Sequence, residues 1–463
     1  MNKFLIWAVA AVSLAGCTSG QDYRPPATPA PLAAERGKFV RAGDAALAAL
    51  PAAPWWETLN DPALDALISE GLATAPSLEG AAARVRQARA TLGEARTASL
   101  PSAGASATAI GARLPDGGPI EAGTIYSVGA DASWEIDLWG ARRRGTEQAA
   151  AQAEAAAAQL ADAQVSLSAE IARTYVALRA NETSRTLLEQ RAEIDRSLVR
   201  LADQRHRSGT LPLQTVEANR STLERTGAQL TQSSAEYEVL LDQLALLAGS
   251  EPGALDSRLA AASIPLPPVR VAVGDPASLL RRRPDIRIAE RQLAAATAQI
   301  GVDVARQFPS VSFMGLIGLG GTSPTDMLDP GNMTALALPR ISWTFLDFGR
   351  NKARIRGSEA ARDAAEADYR QEVLAALQDA ESSLTRFGSR RAELAQAASA
   401  AQHIERISIL QSQRARAGTI GRGEALEAQR RVLDAELARV QATSALTVSY
   451  IDLCKALGLG WQT

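Results

Sequence analysis

The chain has 463 residues with 49 basic and 51 acidic side chains, but only two Cys and two His. The balanced charge predicts no nucleic-acid partner, and so few Cys and His exclude a set of zinc or disulfide sites. Beyond the N-terminus the sequence has no run of about 18 apolar residues, which excludes a bundle of membrane-spanning helices. Aromatic residues make up only 4% of the chain, and abundant alanine favours long, closely packed helices.

The N-terminal residues predict a secretory signal. A basic residue, Lys3, precedes an apolar run from Phe4 to Ala15, which is too short to span a bilayer. Cleavage is expected after residue 16, so residues 1–16 form the predicted signal peptide.

The residues around the predicted cleavage site, Leu14 to Cys17, resemble the lipobox of bacterial lipoproteins. This resemblance implies that Cys17 is lipidated and that its acyl chains anchor the protein stably in a membrane. Thr18, in the place of an Asp, favours the outer membrane by the sorting rule for such lipoproteins. Residues 17–60 are then a lipidated N-terminal tether bound to outer-membrane lipid, and its Pro-rich part predicts an extended segment.

The chain contains the same pattern twice. Gly209-Thr210 aligns with Gly418-Thr419, and other matching stretches have offsets between 208 and 210 residues. A period of this length is far too long for a solenoid, so it indicates a duplicated domain. The predicted divisions are a first repeat at 62–249, a linker at 250–275 and a second repeat at 276–459.

The first repeat begins with Asp61-Pro62, which is typical of a helix start, and helical sequence continues to about Thr97. A glycine-rich window at about 100–140 follows, and the second repeat has its counterpart at about 308–349. The two windows hold eight aromatic residues and alternate small or polar residues with apolar ones. Each window therefore predicts two membrane strands around a glycine-rich loop.

A long helix without proline is predicted after each window, from Gly140 to about Arg207 and from Arg350 to about Arg416. At a rise of ~1.5 Å per residue, each helix would reach ~100 Å. The return helix of the first repeat has an apolar residue at every seventh position from Val216 to Leu244, which predicts coiled-coil packing. The same register places Cys454 at a buried position in the second repeat.

Four strands cannot close a membrane barrel, because about eight is the working minimum and open strand edges are not tolerated in lipid. If the hairpins insert, several chains must share one barrel, and three chains would contribute 12 strands. The expected fold class is therefore mainly α with a membrane β-barrel part. It is a duplicated helix–β-hairpin–long helix–helix unit, whose trimer forms a 12-strand barrel on a long α-helical tunnel.

Several stretches together resemble the TolC-like outer-membrane efflux factors, specifically their lipoprotein (NodT-like) branch. The stretches that carry the resemblance include Ser133–Gly140, Arg282–Ile286, Gln307–Ser310, Asp347–Gly349 and Lys455–Gly458. The resemblance implies a homotrimer that extends into the periplasm and serves as the exit duct of a tripartite system, for passive export of drugs or other small molecules. It also implies a periplasmic adaptor (membrane fusion) protein and an inner-membrane pump of the RND or ABC type as partners.

The resemblance further implies that two helix–helix turns form a periplasmic tip that docks the adaptor. These turns contain Gly209 and Thr210 in the first repeat, and Gly418 and Thr419 in the second. Glycine also ends helices for purely local reasons, so the pattern alone is compatible with both roles.

The resemblance also implies a periplasmic gate. Its residues follow the second turn directly and are Arg422, Glu424 and Glu427. Around a three-fold axis the two acids would make two rings with six carboxylates in total, which raise one another's pKa and attract cations. Both acids also lie in the first turns of a helix, where the helix dipole favours them. The family usually has Asp at these positions, so the longer Glu changes the geometry of the ring. The first repeat has Gln214 and Glu217 at the matching positions, so we expect the second repeat to control the aperture.

Two basic runs, Arg142-Arg143-Arg144 and Arg281-Arg282-Arg283, are interpreted as solvated charges at helix ends. The first run follows a predicted strand directly, which would place it beside lipid headgroups at the rim of a barrel.

The sequence presents no catalytic, cofactor-binding or metal-binding constellation, so we expect no enzyme. Two alternative functions are compatible with parts of the pattern. An exit duct for type I protein secretion would share the fold but carry a different cargo. A lipid-anchored periplasmic coiled-coil adaptor would need no pore, but the duplicated hairpins, each preceded by a strand window, disfavour it.

Overall fold

A computed structural model describes residues 19–26, 30–43, 46–47, 49, 54–112 and 123–461. The predicted signal peptide and the predicted lipidation site, Cys17, lie outside these residues.

The described part of the chain is dominated by α-helices. They are α1 (Pro31–Arg36), α2 (Pro62–Thr74), α3 (Pro76–Thr97), α4 (Ala141–Arg207), α5 (Leu213–Leu247), α6 (Pro276–Arg282), α7 (Pro284–Ala305), α8 (Arg350–Arg416) and α9 (Arg422–Ala456). The short 3₁₀ helices are Trp55–Leu59, Pro324–Leu328 and Pro330–Asn332. Helices α4 and α8 have 67 residues each, and α5 and α9 have 35 each. Within the described ranges, no helix is both long and apolar enough to cross a membrane.

Helix starts follow from local capping chemistry. The Asp61 carboxylate accepts hydrogen bonds from the backbone N–H groups of Ala63 and Leu64, at 3.0 and 3.1 Å, and Pro62 occupies the first helical position. Asp275 caps α6 in the same way through the N–H of Ser278 at 2.7 Å. Each cap satisfies backbone donors that have no partner inside the helix.

The strands form two sheets. They are β1 (Ala46–Leu47), β2 (Ser102–Ala112), β3 (Gly123–Ile136), β4 (Val271–Ala272), β5 (Ser310–Gly321) and β6 (Met333–Ser342). Strands β1 and β4 pair in parallel, and the other four form an antiparallel sheet in the order β2-β3-β5-β6. The predicted fold class, mainly α with a β-hairpin before each long helix, is confirmed.

The chain divides into two compact units. The first comprises Met1–Ala27, Ala83–Ala157 and Arg287–Gln371, and it contains the four-stranded sheet. The second comprises Thr28–Ala82, Ala158–Ile286 and Glu372–Thr463, and it contains both helix–helix turns.

The core of the second unit is built around aromatic side chains. Trp55 is 2% exposed and its ring lies 6.3 Å from that of Tyr450 in an edge-on arrangement. The hydroxyls of Tyr450 and Thr58 are 2.6 Å apart, so the buried phenol has a hydrogen-bonding partner. Cys454 is buried as predicted, and burial raises the pKa of its thiol to about 12. The thiol therefore stays protonated and packs as a small apolar group.

The interpretation of the arginine runs as solvated charges is wrong for Arg144. This residue is 2% exposed in the first unit. Its guanidinium donates to the carbonyl of Ser19 at 3.2 Å, to the carboxylate of Asp22 at 2.7 Å and to that of Glu147 at 2.7 Å. A buried guanidinium needs such partners to offset the loss of hydration. Here the N-terminal segment supplies three of them, since the carbonyl of Gly20 also accepts at 3.3 Å.

Candidate functional site: the helix turns, the gate residues and the sheet

The turn between α4 and α5 has the geometry of a Schellman motif. Gly209 has φ of 72°, and its N–H donates to the carbonyl of His206 at 2.9 Å. The N–H of Thr210 donates to the carbonyl of Arg205 at 2.9 Å, and the Thr210 hydroxyl donates to the same oxygen. These bonds satisfy carbonyls that the helix end leaves without a partner.

The turn between α8 and α9 repeats this geometry. Gly418 has φ of 73° and donates to the carbonyl of Ala415 at 3.1 Å. The N–H and the hydroxyl of Thr419 both donate to the carbonyl of Arg414, each at 3.0 Å. Helix termination explains why glycine and threonine occur at these four positions. All four predicted docking residues are also exposed, so their surfaces are accessible.

The predicted gate residues lie at the start of α9. Arg422 and Glu424 are exposed, whereas Glu427 is half-buried. The Glu427 carboxylate forms an ion pair with Arg430 at 2.7 Å. The two acids therefore differ in their electrostatic environment, because Arg430 compensates the charge of Glu427.

A groove of about 350 Å³ lies beside these residues in the second unit. Its walls include apolar side chains, two acids and two arginines: Leu198, Leu201, Leu211, Glu424, Glu427, Arg205 and Arg431. The groove therefore combines an apolar floor with a charged rim beside the turn regions.

A buried carboxylate that sequence reasoning missed links three helices near this groove. Asp195 of α4 is 1% exposed and accepts a hydrogen bond from the hydroxyl of Thr226 in α5 at 2.8 Å. It also lies 3.6 Å from Arg430 of α9 and 3.9 Å from Arg191. The sequence feature that could have indicated the burial of Asp195 is its position in an apolar stripe of α4. Its neighbours in that stripe, Ala192 and Leu198, are buried too.

The two faces of the four-stranded sheet differ in chemistry. Successive side chains of a strand point to opposite faces, and directly opposed residues share a face. The pairing therefore collects one apolar face: Ala103, Ala105, Ala107, Val128, Ala130, Ala132, Trp134, Phe313, Gly315, Ile317, Leu319, Met333, Ala335, Ala337 and Pro339. The opposite face is mixed. It holds polar residues (Ser106, Thr108, Ser127, Asp131, Ser133, Ser312 and Arg340) and apolar ones (Ile110, Ile125, Met314, Leu316, Leu336 and Leu338).

Aromatic side chains mark the end of the sheet where the long helices begin. Trp134 and Trp343 are 41% and 55% exposed, and their indole N–H groups donate to the carbonyls of Ser99 and Gln307. An apolar ring with a satisfied polar tip is the side-chain type found at membrane–water interfaces. The apolar face together with these rings is typical of strands that face lipid.

Comparisons with known proteins agree with this geometry. The sequence profile of the outer membrane efflux protein family matches residues 67–250 and 276–459. The fusaric acid resistance protein FusA of Burkholderia cepacia is 33% identical over 77% of this chain and 69% of its own length. Nodulation protein T of Rhizobium leguminosarum bv. viciae is 29% identical over 100% of this chain and 94% of its own length.

A solved structure of the outer-membrane channel OprN has the same fold. It superimposes with a TM-score of 0.87 and 32% sequence identity, covering 96% of this chain and 100% of its own. The chain therefore belongs to the outer membrane efflux protein family, and its function is that of an outer-membrane efflux channel.

Proposed function

We propose that three copies of the chain close one 12-strand barrel in the outer membrane, and that this homotrimer is the exit duct of a tripartite efflux system. The observation that carries the proposal is the sheet with one apolar face and one face that holds polar groups. Strands β2 and β6 are the edges of that sheet in the described residues, and an open edge is not tolerated in lipid. Pairing β6 of one chain with β2 of the next removes both edges.

In this arrangement the apolar face contacts lipid and the other face lines a water-filled lumen. Asp131 and Arg340 lie on the lumen face, so hydrophilic and amphipathic small molecules meet polar groups along the wall. The duct is passive, and an inner-membrane pump of the RND or ABC type supplies the energy. The cargo is drugs or other small molecules.

A periplasmic adaptor docks on the turn regions in this proposal. Gly209, Thr210, Gly418 and Thr419 present exposed backbone and small side chains, and the 350 Å³ groove supplies an apolar floor beside Glu424. An adaptor helix with apolar residues flanked by charged residues of both signs fits such a groove, because its apolar lining lies beside two glutamates and two arginines.

The gate in this proposal is a ring of three Glu424 side chains around the trimer axis, with Glu427 behind it. Glu424 is exposed, while Arg430 holds Glu427. Arg422, at the first position of α9, supplies a positive charge beside the ring. The ring attracts cations because three like charges lie close together around the axis.

The lipid anchor is attached to Cys17. The N–H of Ser19 donates to the carbonyl of Trp139 at 2.9 Å, and Arg144 holds the carbonyls of Ser19 and Gly20. The described N-terminal segment thus packs at the end of β3, which is where acyl chains two residues earlier would enter the membrane beside the barrel.

A pair of lysine substitutions tests the membrane orientation of the sheet. Ala130→Lys places a charge on the apolar face, where it costs about 2–4 kcal/mol near the bilayer midplane. Ser127→Lys places the same charge on the lumen face of the same strand and is the matched control. We expect Ala130→Lys alone to deplete the protein from the outer-membrane fraction that resists alkaline extraction. Equal depletion by both substitutions would contradict the assigned faces.

A further inference from the structure

The Arg-Pro-Asp stretch that joins α6 to α7 lies where several helices of the second unit meet. Arg283 ends α6, and its side chain is only 12% exposed. Its guanidinium donates to the carboxylate of Asp285 at 2.5 Å, to that of Asp379 in α8 at 3.1 Å and to the carbonyl of Ala456 in α9 at 2.6 Å. One guanidinium therefore ties the junction of α6 and α7 to two other helices.

The chain after α9 packs closely against this guanidinium side chain. Gly458 has φ of 68°, and a Cβ atom at this position would lie 2.9 Å from Cγ of Arg283. Both the left-handed backbone and the short distance require glycine here. Packing therefore fixes the position of Arg283 in addition to its hydrogen bonds.

The surroundings of Asp285 stabilise its ionised form. It lies in the first turn of α7, where the helix dipole favours a negative charge. The N–H of Ile286 donates to its carboxylate at 2.8 Å. Burial alone would raise the pKa of Asp285, but the hydrogen bonds and the charge of Arg283 outweigh burial and hold that pKa below its usual range.

A second carboxyl group, that of Glu372 in α8, forms a hydrogen bond with Asp285. Glu372 is seven residues before Asp379, so the two acids share one face of α8. Two ionised carboxylates can only accept hydrogen bonds and have no hydrogen to donate. The contact between Glu372 and Asp285 therefore requires one proton between them.

The environment favours Glu372 as the residue that carries this proton. Burial and then the charge of Asp285 raise the pKa of Glu372. A protonated Glu372 donates its O–H to the carboxylate of Asp285, which keeps its negative charge for the contact with Arg283. The proton thus completes the hydrogen bonding of the pair without breaking the ion pair.

The charges around the pair also favour a bound proton. Four acids and two basic residues meet here from α4, the junction of α6 and α7, α8 and α9. They are Asp162, Asp285, Glu372, Asp379, Arg283 and Lys455. With every acid ionised, four negative charges face two positive ones. One proton removes one of the two excess charges, and repulsion between like charges is strong in a site that is partly shielded from water.

We propose that Glu372 and Asp285 form a proton-operated switch in the joint between α8 and the junction of α6 and α7. While the proton is bound, the hydrogen bond between the two acids holds the joint together. When the proton leaves to solvent as the pH rises, two carboxylates face each other with Asp162 as a third, and the joint loosens. The switch lies within one chain and is independent of the proposed trimer.

Infrared spectroscopy of the detergent-purified full-length protein detects the bound proton, because a protonated carboxyl group has its own C=O stretching band. In a pH titration we expect one such band to persist to a higher pH than those of the exposed acids. Glu372→Gln should lack this persistent band. The glutamine amide donates to Asp285 at every pH, so the variant retains the hydrogen bond and should fold.

Glu366→Gln is the matched control, because it makes the same chemical change in the same helix. The Glu366 carboxylate pairs with Arg370 at 3.0 Å and with Arg362 at 3.4 Å, so the control variant should keep the persistent band. A band that remains in Glu372→Gln overturns the proposal. A band that disappears only in Asp162→Asn places the proton on α4 and overturns it equally.

Hydrogen exchange followed by mass spectrometry measures the loosening of the joint. Peptides that cover residues 276–290 should lose protection, relative to the intrinsic exchange rate at each pH, over the range in which the infrared band disappears. In Glu372→Gln the same peptides should keep their protection over that range, whereas the Glu366→Gln control should behave like the natural protein. Identical protection of the natural protein and Glu372→Gln at every pH would show that the proton does not control the joint.

Discussion

Asp195 of the first repeat lies 3.6 Å from Arg430 of the second repeat, measured between Oδ1 and Nη1. Arg430 also binds Glu427 at 2.7 Å, so a buried carboxylate on α4 is connected to one of the predicted gate acids on α9. Arg191 reinforces the link through Asp434 of α9 at 2.7 Å. Ion pairs therefore hold the two repeats together next to the proposed gate residues.

Replacing Asp195 by Asn should destabilise the protein by about 1–3 kcal/mol, because it leaves buried hydrogen-bonding groups without their charged partner. Asp203→Asn is the matched control. Asp203 lies on the same helix and pairs with Arg220 at 3.0 Å, but its side chain is 29% exposed, and exposed pairs contribute about 0–1 kcal/mol. Thermal denaturation followed by circular dichroism measures both. Equal losses of stability in the two variants would contradict the larger contribution expected of the buried Asp195.

Gly418→Ala should destabilise the turn between α8 and α9 by about 1–2 kcal/mol, because a φ of 73° is a left-handed conformation that costs a residue with a Cβ atom. Gly227→Ala is the control, since Gly227 lies inside α5 with open space around it. There alanine should stabilise by about 0.5–1 kcal/mol. The two melting temperatures should shift in opposite directions, and shifts of the same sign would contradict the assigned turn geometry.

The pH dependence of stability should change with Glu372→Gln. Burial and then the charge of Asp285 raise the pKa of Glu372. A raised carboxyl pKa in the folded state means that the stability present at low pH is lost as pH rises through that pKa. Glutamine cannot ionise, so the variant should be more stable than the natural protein at pH 8. The gain should shrink towards pH 4.

The change with pH of the stability difference between the two proteins identifies the titrating group, whereas the difference at a single pH does not. Asp285 has the opposite tendency, since burial alone would raise its pKa but Arg283 outweighs burial and holds it below its usual range. Melting temperatures of both proteins at several pH values provide the measurement. A difference between the proteins that is constant with pH would exclude Glu372 as the titrating group.

Glu424→Gln should weaken the cation selectivity of the channel in planar lipid bilayers. Glu424 is exposed at the start of α9, and its removal would take three charges from the proposed ring. Glu224→Gln, on the exposed surface of α5, is the control with the same chemical change. Unaltered selectivity and unaltered block by divalent cations in Glu424→Gln would contradict the gate assignment.

Much of the fold follows from local sequence chemistry. The stretch before Gly209 has no proline, and glycine and proline follow at the turn. This pattern predicts a long helix that ends near Arg207, and the helix ends at that residue. Heptad spacing predicts the burial of Leu244 and Cys454, and both are buried. These features depend on neighbours along the chain, so a sequence displays them directly.

The burial of Arg144 and the links of Asp195 could not be predicted in this way. The N-terminal partners of Arg144 are more than 120 residues away in the sequence, and Arg430 is more than 230 residues away from Asp195. A charged residue carries no local signal of such distant contacts. In the sequence, Asp195 differs from its surroundings only because it interrupts an apolar stripe. Arg144 is one of three consecutive arginines, and the sequence does not distinguish it from the other two. Long-range pairing of charges is a property of the folded arrangement.

The number of chains in the detergent-purified particle tests whether the protein is a trimer with one shared barrel. Light scattering combined with refractive-index detection gives the protein mass of the particle without the detergent. We expect three chains per particle, since each chain contributes four strands and leaves both edges β2 and β6 to be closed. A stable particle with one chain would contradict it, because four strands cannot close a membrane barrel.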